Sequence, residues 1–114
     1  MSGRSEHVEQ REFVSWFRKN YSDVRIFAIP NGGLRNKVTA GKLRVEGATA
    51  GVPDLFIPAW LTWIEMKVEK GGRVSDKQKD WIEYLEGIGQ KVFVCHGCEA
   101  AKKVVLEVAP ANKR

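Results

Sequence analysis

Residues 51–68, GVPDLFIPAWLTWIEMKV, decide how the chain folds. They hold two short apolar runs, LFIPA at 55–59 and LTWIEMKV at 61–68, set among Gly and Pro turn signals. Runs of that length favour strands, and their closeness in the chain makes them a hairpin pair. Side chains alternate along a strand, so Glu65 and Lys67 emerge on one face and Met66 on the other. If the strands pair, Asp54, which opens the first, comes alongside Glu65. Two carboxylates converging at a sheet end suit a hard divalent cation with oxygen ligands, typically Mg²⁺ or Mn²⁺. The Met66 carbonyl offers one more oxygen. Lys67 would sit near a bound water, able to orient it and to stabilise charge on a phosphate. That is the equipment of phosphodiester hydrolysis. The competing reading is a solvated charge pattern, since Glu-x-Lys is common on strands and Asp after Pro is a frequent turn residue. Context separates the two: Glu65 and Lys67 interrupt an apolar strand, and Asp54 opens its partner at matching spacing.

Downstream, the loop EKGGR leads to SDKQKDWIEYLEGI at 75–88, where Ser75 and Gln78 fit a capping box. Trp81, Ile82, Leu85 and Ile88 form the expected buried stripe of this helix, and Gly89 suits its end. KVFVC at 91–95 reads as a strand, and residues 98–108 as a helix with Ala101, Val104, Val105 and Val108 inward. The C-terminal PANKR is expected to fray. Upstream, EHVEQREFVSWFRKN at 6–20 places Val8, Phe13, Trp16 and Phe17 near helical spacing. VRIFAI at 24–29 reads as a strand entering a turn at Pro30-Asn31-Gly32-Gly33. Residues 34–52 are ambiguous between a short helix and a basic loop, with Arg35, Lys37, Lys42 and Arg44 making them cationic. The order of elements predicts an α/β fold, one mixed central sheet flanked by helices.

The 114 residues suit one domain spanning 1–114. A hydrophobic fraction of 43% and a charged fraction of 29% are those of an ordinary globular protein. No apolar run approaches the ~20 residues needed to cross a bilayer, and the N-terminus lacks a signal-peptide pattern, so a cytoplasmic location and no membrane partner are expected. A formal charge of +5 raises the odds of a polyanionic partner. Arg35, Lys37, Lys42, Arg44, Lys70 and Arg73 are the cations expected to meet a phosphate backbone, unless they are ordinary solvated surface.

Two other functional classes compete. Cys95-His96-Gly97-Cys98 is a C-x-x-C at a helix start, a thiol-redox layout. Only one helix follows it, which leaves no further sheet for a thioredoxin-like fold. Zinc would have to draw on His7 and His96, the two histidines, with the cysteines. A non-catalytic DNA-binding module would explain the basic charge but not Asp54 and Glu65, since carboxylates beside a phosphate repel it unless a metal intervenes.

The run GVPDLFIP, followed by WIEMKVEKGGRVSDKQKDWIEYLEGIGQKVFVCHG, resembles the VRR-NUC family of the PD-(D/E)XK nuclease superfamily. EHVEQ and FAIPNGG are similar to small stand-alone phage and prophage members, and the likeness extends from about Glu6 to the last helix. It implies a restriction-endonuclease-like core and Mg²⁺- or Mn²⁺-dependent hydrolysis of DNA. By position, Asp54 matches the motif aspartate, Glu65 the second metal-binding acid and Lys67 the catalytic lysine. Gln78 matches a glutamine that helps arrange the site, although the capping box alone would explain it. A first-helix glutamate completes the metal shell in such nucleases; Glu9 is the choice here, with Glu6 its close rival. Small family members look like structure-specific endonucleases, some like Holliday-junction resolvases. The symmetry of a four-way junction then predicts a homodimer, with a replication or recombination protein as a further possible partner.

Overall fold

The computed structural model describes residues 4–30 and 37–110, at 37–40 by backbone alone. In chain order the elements are α1 (Glu6–Asn20), β1 (Phe27–Ala28), α2 (Lys37–Val45), β2 (Leu55–Ile57), a 3₁₀ turn (Pro58–Trp60), β3 (Thr62–Lys67), α3 (Asp76–Gly87), β4 (Lys91–His96) and α4 (Cys98–Val108). The four strands lie in the order β1-β2-β3-β4. β1 and β2, and β2 and β3, pair antiparallel, whereas β3 and β4 run parallel through the crossover helix α3. The sheet is therefore mixed, the expected α/β arrangement. No helix among the described residues is long and apolar enough to cross a membrane.

The hairpin forms as its sequence dictates. Pro58 opens the 3₁₀ turn and Leu61 closes it at φ 48, so β2 stops at Ile57 instead of running to Ala59. The register sets Leu55 opposite Ile64 and Phe56 opposite Trp63. Ile64 and Met66 thus face α1 and α4, where Phe13, Phe17, Leu55, Ile57, Cys95, Ala101 and Val105 complete a closed apolar core. The alternate residues, Glu65 and Lys67, face α3. On that side Phe27, Phe56 and Trp63 form a row of rings across three strands, at 5.9 Å and 4.2 Å between successive centroids.

Two expectations need correction, and one open reading is resolved. The strand expected over 24–29 pairs only at Phe27 and Ala28. The Val24 N–H donates to the Tyr21 carbonyl, and the Ile26 carbonyl accepts from Arg18 Nη2, so these groups leave the ladder. Ile88 lies past the end of α3 and is 54% exposed; Leu85 is the fully buried member of that stripe. The ambiguous segment forms a helix, α2, over Lys37–Val45, with exposed Lys42 and Arg44 near its end. The Asn31-Gly32-Gly33 turn, Arg35, the Lys37 side chain and the tail after Pro110 lie outside the described residues.

Candidate active site

Asp54 stands immediately before β2, where the ladder to β3 would continue. Its Oδ2 takes the next slot, accepting the Met66 N–H at 2.8 Å, while its own carbonyl accepts the Ile29 N–H at 2.8 Å. The carboxylate is thus pinned to the backbone of β3 in the row of Glu65. Asp54, Glu65 and Lys67 are all buried, at 8%, 2% and 8% exposure. Three ionisable groups buried together in so small a domain require mutual compensation.

The compensation is incomplete, and the surplus is negative charge. Lys67 Nζ lies 3.6 Å from Glu65 Oε2 and donates to Gln78 Oε1 at 2.9 Å. Gln78 Nε2 in turn donates to Glu65 Oε2 at 2.9 Å. Glu65 Oε1 is buried with no N–H or O–H donor among the described residues. Burial, then the charge of Asp54 and a hydrogen bond shared with its carboxyl, push the Glu65 carboxyl up to about 8, with Lys67 opposing. Two adjacent carboxyls in this state are joined by a shared proton or by a cation. No ready-made cluster of three or more His, Cys, Asp or Glu donors occurs among the described residues. The donor set is nonetheless that of a hard cation: carboxylate oxygens, one of them buried with no N–H donor.

Gln78 does two jobs at once. Its Oε1 accepts the Ser75 N–H at 2.9 Å, and its own N–H donates to Ser75 Oγ at 3.2 Å, closing the capping box of α3. The same amide bridges Lys67 and Glu65, so the start of α3 and the two site residues share one side chain. One residue thus makes both the cap bonds and the bridge.

The helix glutamates divide differently from expectation. Glu9, chosen for the metal shell, is buried but has both oxygens engaged elsewhere. Oε1 accepts the Cys98 N–H at 2.7 Å, and Oε2 pairs with Arg4 Nε at 3.0 Å. It supplies the cap that Gly97, at the start of α4, cannot provide. Glu6, one turn earlier, is the one that feels the site: partial burial and then Asp54 raise its pKa, and Lys67 lowers it. Sequence spacing alone left the two open; the bonds to α4 and to Arg4 are what distinguish Glu9 from Glu6.

The setting of the two cysteines does not favour thiol-redox chemistry. Both are free and buried, and burial raises both thiols, Cys95 to about 12, whereas an active C-x-x-C needs a stabilised thiolate. His96 Nδ1 contacts the Val68 carbonyl at 3.0 Å. Of the expected DNA-facing cations, Lys42, Arg44, Lys70 and Arg73 are exposed.

The comparisons with known proteins agree with this geometry. The VRR-NUC domain model matches residues 2–99. A solved structure of a VRR_NUC domain protein superposes with a TM-score of 0.75, covering 94% of this chain and 89% of its own, at 24% identity. Identity that low speaks for the fold. None of the curated proteins matches the chain. With the family model spanning nearly the whole sequence, and the mixed sheet and its helices reproduced in a family member, the chain belongs to the VRR-NUC domain family of the PD-(D/E)XK nucleases.

Proposed function

We propose that this nuclease domain is a divalent-metal-dependent DNA endonuclease, with Asp54, Glu65 and Glu6 holding the ion and Lys67 and Gln78 completing the site. The carrying observation is the buried Glu65 Oε1 without a donor, beside Asp54 and one residue from a clamped lysine. A Mg²⁺ or Mn²⁺ ion would be held by the Asp54 and Glu65 carboxylates, by Glu6 directly or through water, and by the Met66 carbonyl. Bound there, it supplies Lewis-acid chemistry: it acidifies a water and neutralises charge on the phosphate.

The chain's own residues do the rest. Hydrolysis joins the oxygen of water to phosphorus and releases one ester oxygen as an alcohol. Lys67 carries three N–H donors, one on Gln78 and one directed toward Glu65. The third is available to orient the attacking water or to hold a non-bridging phosphate oxygen as charge builds there. Gln78 keeps the ammonium from collapsing onto Glu65 and leaves that carboxylate an oxygen for the ion. The buried, partly desolvated site strengthens each of these interactions relative to water.

Within this reading the substrate is branched DNA, cut in the manner of a Holliday-junction resolvase. Two copies related by a two-fold axis match the symmetry of a four-way junction, so the active species is a homodimer. The test is cleavage of labelled four-way junction, flap and linear duplex with Mg²⁺, Mn²⁺ or EDTA, alongside Asp54→Ala and Glu65→Ala. Metal-dependent cutting lost in both variants supports the nuclease site, and paired symmetric nicks support the dimer. Folded wild type that binds these DNAs and cuts none with either metal leaves a binding module.

A further inference from the structure

Two glycines stand side by side in the loop EKGGR between β3 and α3, and they serve different ends. Gly71 sits at φ +86, where a side chain is strained, and a Cβ on it would meet nothing within 4 Å. Its glycine serves the turn. Gly72 is not at positive φ, so no left-handed conformation asks for glycine there. What it lacks is room. A Cβ on Gly72 would lie 3.0 Å from Lys67 Cβ, 3.3 Å from Lys67 Cδ and 3.4 Å from Val68 Cγ2.

Those distances lay the Gly72 backbone along the aliphatic stem of Lys67. The head of the same side chain is held separately: Nζ donates to Gln78 Oε1 at 2.9 Å and lies 3.6 Å from Glu65 Oε2. Lysine has four methylenes and some of the greatest rotamer freedom of any side chain. A hydrogen bond at the far end fixes the nitrogen only when the stem has few other courses, and the loop closes those courses off. Lys67 Cβ is set by β3 and cannot retreat, so a methyl group at position 72 must either lift the loop or turn Cδ away. Both leave the stem unsupported and draw Nζ off Gln78.

We infer that Gly72 is a positioning residue for Lys67: its bare backbone seats the lysine stem and so holds the ammonium where the attacking water or a phosphate oxygen is met. The inference rests on the nuclease reading, in which Lys67 has that task.

The test compares wild type with Gly72→Ala, Gly71→Ala and a chain with one glycine inserted between residues 71 and 72. Three quantities are read: kcat and KM with Mn²⁺ for the DNA that wild type cuts best, the salt dependence of binding to that DNA in EDTA, and the Lys67 ammonium signal in ¹H–¹⁵N NMR of the metal-free protein. Lys67→Arg assigns that signal by its loss. Gly72→Ala crowds the stem and the insertion slackens the loop over it, so both should lower kcat tenfold or more, leave KM little changed and broaden or erase the lysine signal. Gly71→Ala should keep kcat and the signal. The slope of log K against log salt should be the same in all four proteins, because Lys70 and Arg73, exposed on either side of the pair, keep any phosphate contact they make. Should Gly72→Ala fail to fold, the insertion carries the test, since it places no new atom at the contact. Wild type that cuts, with kcat and signal unchanged by the Gly72 substitution and the insertion, overturns the inference and leaves the nuclease standing. A lower kcat with a flatter salt slope and an intact lysine signal assigns the loop to DNA binding and also overturns it. Equal losses in Gly71→Ala assign the effect to loop order at large, with the same result. Wild type that cuts no DNA with either metal overturns the nuclease reading itself, and this inference with it.

Discussion

Glu65 carries a proton in the folded chain over a pH range where an ordinary glutamate has lost it. Its pKa is raised from 4.5 to about 8 by burial and by Asp54. Below pH 4.5 both the folded and unfolded chains are protonated there, and the group is neutral in its effect. As pH rises from 4.5 to about 8 the unfolded chain sheds the proton first, so the metal-free fold loses stability across that window. The melting temperature of the metal-free protein should therefore fall between about pH 5 and 8. Glu65→Gln should remove that component, and Mg²⁺ or Mn²⁺ should flatten it by displacing the proton. A pH-independent difference between wild type and Glu65→Gln in thermal melts would contradict this. Gln78 offers a second test at the same scale. Glu is accepted at this position of a capping box, so Gln78→Glu keeps the cap of α3. It also sets a carboxylate against Glu65 Oε2, where an N–H donor stood at 2.9 Å. Thermal stability of the start of α3 should hold while kcat drops tenfold or more, a split that an amide serving the cap alone would not produce.

Among the elements, the loop from α2 to β2 leaves no room for a side chain at Gly51. Gly51 sits at φ +95, and a Cβ there would lie 2.6 Å from the Lys77 carbonyl oxygen in α3. Gly51→Ala should destabilise by more than ~1 kcal/mol through backbone strain and that contact together, measurable by urea unfolding. Gly71→Ala, also at positive φ but with open space around its Cβ, should cost less. Legibility in the sequence follows the same local logic. The hairpin, the capping box and the common face of Glu65 and Lys67 depend on neighbours within a few residues, and all were readable from spacing. The short β1 was not, because Arg18 withdraws the Ile26 carbonyl from the ladder across a gap that propensity does not register. The exposure of Ile88 was missed because the apolar stripe continues one step beyond the point where α3 ends. Glu6 and Glu9 lie within one turn of each other, so nothing local separates them.

At the scale of the molecule, Glu9 joins the first helix to the last. It accepts a buried N–H of α4 and holds Arg4, one turn from Glu6 and next to Gly97, whose N–H donates to the Lys67 carbonyl at 3.0 Å. Glu9→Ala leaves the Cys98 N–H without its acceptor, which should cost ~1–3 kcal/mol in denaturant unfolding. It should also weaken Mn²⁺ binding, measured calorimetrically, by loosening Glu6. Glu9→Gln preserves the acceptor and should recover most of both losses. Full metal affinity in Glu9→Ala would show that Glu6 is seated without it. The bond between Glu9 and Cys98 spans 89 positions of the chain, and this has a consequence in time. During synthesis Asp54, Glu65, Lys67 and Gln78 all leave the ribosome before Cys98 does. The growing polypeptide therefore carries these four residues of the proposed site while the helix that bears Glu6 is still unanchored. On the proposed reading, a nascent chain is therefore latent until α4 is laid down.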